Sequence, residues 1–130
     1  MKQSKVLKTI LFVSGLIGVV FGGAILFMPV AFSATNGIDL SGNINLLNET
    51  RPAGGALLAC GTVILAGAFL TELTFTATVI STVMYLAYGS SRLLSIAIDG
   101  LPVESLIQAT IVETLIGMLS VFALLKYRKT

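Results

Sequence analysis

With 130 residues, 55% of them hydrophobic and 11% charged, and a mean hydropathy of +0.98, the chain is far more apolar than an ordinary soluble domain. Its eight basic and six acidic residues leave a net charge of +2, too little and too dispersed for a nucleic-acid-binding arm. Histidine is absent and Cys60 is the single cysteine, which excludes intrachain disulfides and the common zinc and haem ligand sets, so neither a metal nor a cofactor is expected.

The expected fold is therefore all-α: an integral membrane, four-helix up-down bundle in one transmembrane domain over residues 1–130. The first charge-poor run covers about residues 7–30, after Lys2, Lys5 and Lys8. Basic residues, an apolar run and then "AFSAT" also follow the order of a cleavable signal peptide. The run exceeds the roughly 7 to 15 apolar residues of a signal core, which favours a retained spanning helix. Ser14, Gly18 and Gly22 make a small-residue ridge of the GxxxG kind, expected to pack within the bundle, with a homodimer seam as the alternative. Pro29 should end this helix, because the residue before a proline is pushed from helical geometry and proline has no amide hydrogen.

Residues 31–51 form the one sizeable polar connection. Ile38, Leu40, Ile44 and Leu46 alternate with polar residues around "SGN", a pattern that fits either a small hairpin at the membrane surface or an irregular loop. The second helix is expected at about 52–70, with Asn48 or Thr50 capping its free amides and Pro52 in its first turn. An arginine in a first turn opposes the helix dipole. Arg51 should therefore be held by a carboxylate, with Glu49, Asp99 and Glu113 as candidates. Gly54, Gly55, Ala59 and Gly61 leave this helix thin enough for a close neighbour, and Cys60 in "LLACGTV" suits apolar packing.

The third helix is expected at about 75–98 and the fourth at about 103–125, joined by the tight turn "DGLP". So short a connection makes them antiparallel neighbours. Thr74, Thr78, Ser81, Tyr85, Tyr88, Arg92, Ser95 and Asp99 recur at spacings of four and three, one stripe of a helix. Thr110, Glu113, Gly117 and Ser120 offer a facing stripe on the fourth helix. An arginine inside hydrocarbon costs about 3 kcal/mol or more, so it should face protein and have a partner. Counting from the turn at about 1.5 Å per residue, Arg92 and Glu113 lie at similar depth. Each Cα–Cβ bond leans toward its own helix's N-terminus, so on antiparallel helices the two groups lean together. Lysines and arginines at both ends of the chain place both termini in the cytoplasm by the positive-inside bias.

The chain resembles an uncharacterised family of bacterial four-helix integral membrane proteins, a domain of unknown function (family 4345-like). The resemblance rests on "NETRPAGGALLACG", "YGSSRLLSIAIDGLP" and Glu113, and covers nearly the whole chain. It implies a multi-pass protein of the bacterial inner membrane and a shared site at Glu49, Arg51, Arg92, Asp99 and Glu113.

Three function classes follow. A structural or accessory membrane protein, locked by its charged cluster, is the leading expectation. A binding or transport module for a lipid, a quinone or a small anion would use Arg51, Tyr85, Tyr88 and Arg92 to line a pocket. No nucleophile, base and orienting group can be assembled without histidine, which leaves an enzyme only a carboxylate mechanism through Glu113 and Asp99. The lipid bilayer is the expected partner, with a homodimer or a larger membrane complex open beyond it and nucleic acid excluded.

Overall fold

A computed structural model describes residues 1–129, and among them the protein is all-α, without strands. The first helix, α1 (Lys5–Phe27), begins where the Ser4 side chain accepts the Leu7 backbone N–H at 3.1 Å. It ends at Met28, whose φ of −132° and ψ of 56° leave helical geometry ahead of Pro29. Pro29 then opens a short second helix, α2 (Pro29–Ala34), where a first-turn proline gives up no hydrogen bond. The apolar run expected to continue to residue 30 is therefore divided at residue 28.

The polar connection is neither hairpin nor simple loop. Asp39 accepts the Ser41 backbone N–H at 2.9 Å in a local turn, and this bond holds the exposed Asp39 carboxyl below its ordinary value. Gly42 takes a φ of +71°, and the Asn43 side chain caps the next helix through the Leu46 N–H at 3.0 Å. That helix, α3 (Ile44–Gly67), claims Ile44 and Leu46 for its first turn. A strand pairing of these residues with Ile38 and Leu40 is thereby lost. The expected start at Pro52 is corrected too: Pro52 lies inside α3, where it removes the N–H that would have reached the Asn48 carbonyl.

A three-residue connection leads into α4 (Thr71–Asp99), and Gly100 ends it with a φ of +99°, a backbone state that L side chains rarely adopt. The last helix, α5 (Glu104–Tyr127), starts two residues after Pro102.

Successive long helices run in opposite directions. On α1 and α3, Gly18 faces Gly61 so closely that a Cβ on Gly18 would lie 2.9 Å from the Gly61 Cα. Gly15 meets Leu65 and Gly22 meets Leu58, an antiparallel register along the whole contact. On α4 and α5, Gly89 packs on Thr114, Leu86 on Gly117, and the Ser81 and Ser120 hydroxyls are 2.7 Å apart. α1 and α4 run parallel: Gln3 Nε2 reaches the Thr74 hydroxyl at 3.0 Å, and eleven residues further on Tyr85 donates to the Ser14 carbonyl.

A small apolar core of Leu7, Leu11 and Ile64 is buried together with polar residues. Fully buried positions include Ser14, Thr74, Thr78, Ser81 and Ser120, whereas Phe27, Val83, Leu94, Ile111, Met118 and Leu125 are exposed. Among the described residues two helices, α1 and α5, are long and apolar enough to cross a membrane.

Candidate functional site

The antiparallel α4–α5 pair positions one charged contact. Arg92 Nε donates to both carboxylate oxygens of Glu113, at 3.1 Å to Oε1 and 2.9 Å to Oε2. The Gly89–Thr114 approach one turn deeper on α4 brings the helices close enough for side chains of unequal length to meet. Glu113 is the better covered partner, with its side chain 16% exposed against 32% for Arg92. Only Nε of the guanidinium is used; among the described residues neither Nη group has a hydrogen-bond partner.

Beside the pair lies an open cavity of ≈ 320 Å³. Tyr88, Ser91, Arg92 and Ser95 line it from α4, and Leu106 and Thr110 from α5. Ser95 of this lining donates to Oδ2 of the exposed Asp99 at 3.1 Å, and no cation among the described residues pairs with Asp99. The lining is thus polar at the Arg92 end, with apolar surface from Leu106 nearby.

Other residues expected at the charged site lie elsewhere. Tyr85 is buried and donates to the Ser14 carbonyl, so it ties α4 to α1 and does not line the cavity. Among the described residues no carboxylate holds Arg51; its Nη1 donates to the Leu26 carbonyl at 2.5 Å. The early start of α3 explains this. Arg51 sits eight residues beyond the cap, outside the first turn, and beside the end of α1, where last-turn carbonyls lack backbone donors and the dipole favours a cation. Glu49 is exposed on α3 and pairs with neither arginine.

The small residues divide as well. Gly18, Gly22 and Gly54 all lie where a Cβ would press on backbone of the facing helix, and Ser14 is buried with its hydroxyl bonded to the Ile10 carbonyl at 2.6 Å. Gly55 has open space around it, because helical geometry turns it away from α1 when Gly54 faces that helix.

The threonines of the α4 stripe bond in part along their own helix. Thr78 donates to the Thr74 carbonyl and Thr82 to the Thr78 carbonyl, each at 2.7 Å, since a threonine hydroxyl readily reaches the carbonyl four residues back. Two residues carry roles that spacing alone does not mark. Gln3 Nε2 bonds the Gly67 carbonyl at 2.9 Å as well as Thr74, closing the chain start onto the α3–α4 turn. Ser105 donates to Asn36 Oδ1 at 2.8 Å, pinning the connection after α2 to the first turn of α5.

A family model described as "Domain of unknown function (DUF4345)" matches residues 6–124. No curated protein and no solved structure matches the chain.

Proposed function

From the premise that the chain belongs to the DUF4345 family, we propose that it is a multi-pass inner-membrane protein in which α1, α3, α4 and α5 form an up-down bundle with both termini cytoplasmic. Its role on this reading is structural or accessory, with Arg92 and Glu113 as a polar lock between α4 and α5 near the outer side.

One observation carries the reading: large apolar side chains cover the outside, while the interior holds serines, threonines and glycines alongside a small apolar core of Leu7, Leu11 and Ile64. In water that arrangement would leave most of the hydrophobic driving force unused. In lipid the exterior is already solvated, and helices associate through close packing of small residues and hydrogen bonds, the contacts Gly18–Gly61 and Ser81–Ser120 supply. At 29 residues α4 is about 43 Å long at 1.5 Å per residue, enough to cross a hydrocarbon core of about 30 Å with a turn or more beyond it. Arg92, two turns from the end of α4, then lies close to the hydrocarbon edge, where a long side chain with a carboxylate partner is tolerated. The basic residues around α1 and α5 support cytoplasmic termini.

Single cysteines at Ser41 and Lys129, in a chain with Cys60→Ala, test the orientation. An impermeant maleimide applied to intact cells should label Ser41→Cys and leave Lys129→Cys unlabelled until the membrane is opened. Release of the protein by alkaline carbonate, or labelling of both positions from one side, would refute the proposal.

A further inference from the structure

The cavity beside Arg92 has features that a polar lock does not need. The lock engages Nε alone, and the two Nη groups, four N–H donors, are left without a partner among the described residues. Seven residues along α4 toward the Gly100 turn, Asp99 presents a carboxylate that Ser95 orients and no cation among the described residues neutralises. Seven residues are two helical turns, about 10 Å along the axis. Glu113 cancels much of the local charge of Arg92. The cavity itself thus offers hydrogen-bond donors at its Arg92 end, and just beyond its lining the Ser95-bound Asp99 supplies a carboxylate.

This polarity selects among ligands. A simple anion would gain the Nη groups and be repelled by Asp99, and a simple cation would meet the reverse. A zwitterion whose anionic group lies deeper than its cationic group satisfies both ends. In an aminophospholipid the phosphate is attached to the glycerol and the ammonium lies farther out, in the same order as Arg92 and Asp99 toward the Gly100 turn. Guanidinium N–H groups match phosphate oxygens two at a time. A primary ammonium can donate to Asp99, whereas a quaternary one has no N–H to give. A volume of ≈ 320 Å³ is at the small end of ligand sites, room for a head group.

Resting on the reading of a membrane-embedded bundle, we infer that the cavity beside Arg92 binds the head group of an aminophospholipid, its phosphate on the Arg92 Nη groups and the Ser91 hydroxyl, its ammonium reaching past Ser95 to Asp99. The apolar wall at Ile96, Pro102 and Leu106 faces the glycerol region, and the acyl chains continue along the apolar exterior. A soluble phosphoethanolamine offers the same polar chemistry; the lipid is the source because Ile96, Pro102 and Leu106 give the cavity an apolar wall that a soluble head group would leave uncovered.

The test is native mass spectrometry of the full chain, delipidated in detergent and then offered phosphatidylethanolamine, phosphatidylglycerol and phosphatidylcholine in equal amounts. The wild type should retain phosphatidylethanolamine about tenfold over the other two, the ratio one charge-assisted hydrogen bond supports. Asp99→Asn, at an exposed position, should erase the preference over phosphatidylglycerol. The double variant Arg92→Gln with Glu113→Gln, which leaves no unpaired charge, should retain none of the three while keeping its helical circular dichroism. Equal retention of the three lipids by the wild type, or an unchanged preference in Asp99→Asn, overturns the proposal. Displacement of the lipid by soluble phosphoethanolamine at equimolar level overturns the lipid as source. Carbonate-resistant membrane recovery without lipid selectivity sinks this site and leaves the membrane reading standing; release by carbonate sinks that reading itself.

Discussion

Arg92 and Glu113 meet because of a directional property of the α-helix. Their side chains lean toward the N-termini of α4 and α5, and since these helices are antiparallel the two groups approach one another, to 2.9 Å at the closest. The energetic asymmetry of such a pair gives a measurable expectation. Removing one partner leaves the other's charge uncompensated in a poorly hydrated place, whereas removing both leaves only lost contacts. Glu113→Gln alone should lower the stability in detergent by about 1–2 kcal/mol, below the range for fully buried pairs because Arg92 is partly exposed. The double replacement with Arg92→Gln should cost less than Glu113→Gln alone. Thermal melts of the two single variants and the double variant close the cycle, and a double variant less stable than either single one would contradict it. Arg51 shows how the same residue type can be spent differently. It lies against a helix end, where a carbonyl without a backbone donor accepts its hydrogen bond.

At the scale of elements, the α1–α3 contact is a backbone-to-backbone approach that glycine alone permits. A methyl on Gly18 would sit 2.9 Å from the Gly61 Cα and 3.3 Å from the Leu57 carbonyl oxygen, neither of which can turn aside as a side chain could. Gly18→Ala should therefore destabilise by about 1–3 kcal/mol, the cost of overpacking. Gly55→Ala provides the contrast within the same interface region. Nothing lies within 4 Å of its Cβ position, and replacing a helical glycine by alanine restricts the unfolded chain, so stability should hold or rise by up to about 1 kcal/mol. The pair of melting temperatures checks both directions at once. Spacing alone groups Gly54 with Gly55, and only the packed helices distinguish them, because adjacent helical positions point about 100° apart.

For the whole molecule, the alternation of helix directions sets which distant residues share a level. Ser81 and Ser120 are 39 positions apart in sequence and have hydroxyls 2.7 Å apart, which brings their Cβ atoms near the span of a disulfide. In a Cys60→Ala background, Ser81→Cys with Ser120→Cys should cross-link within one chain on mild oxidation. Ser81→Cys with Ser105→Cys, which places the second thiol four turns away along α5, should not. Cross-linking of the second pair, or dimers in place of the intrachain product, would show a different helix order. The N-terminal arm contributes at this scale as well, since Gln3 joins α1 to the α3–α4 turn through Gly67 and Thr74.

The sequence by itself determined the all-α class, the turn at Gly100 and the approach of Arg92 to Glu113, because each follows from local rules: hydrophobic run length, a glycine-dependent backbone angle and the lean of Cβ atoms on a short antiparallel hairpin. It also marked the α4 stripe, although not that its threonines would bond backward along their own helix. The start of α3 is not legible locally, since Pro52 is a strong helix-start signal that the Asn43 cap overrides nine residues earlier. Only the tertiary structure decided that Arg51 caps α1, that Tyr85 crosses to Ser14, that Gly54 packs while Gly55 does not, and that a cavity with unspent guanidinium donors opens beside Glu113. Each of these depends on the distance and rotation between helices far apart in the chain, quantities that no local pattern contains.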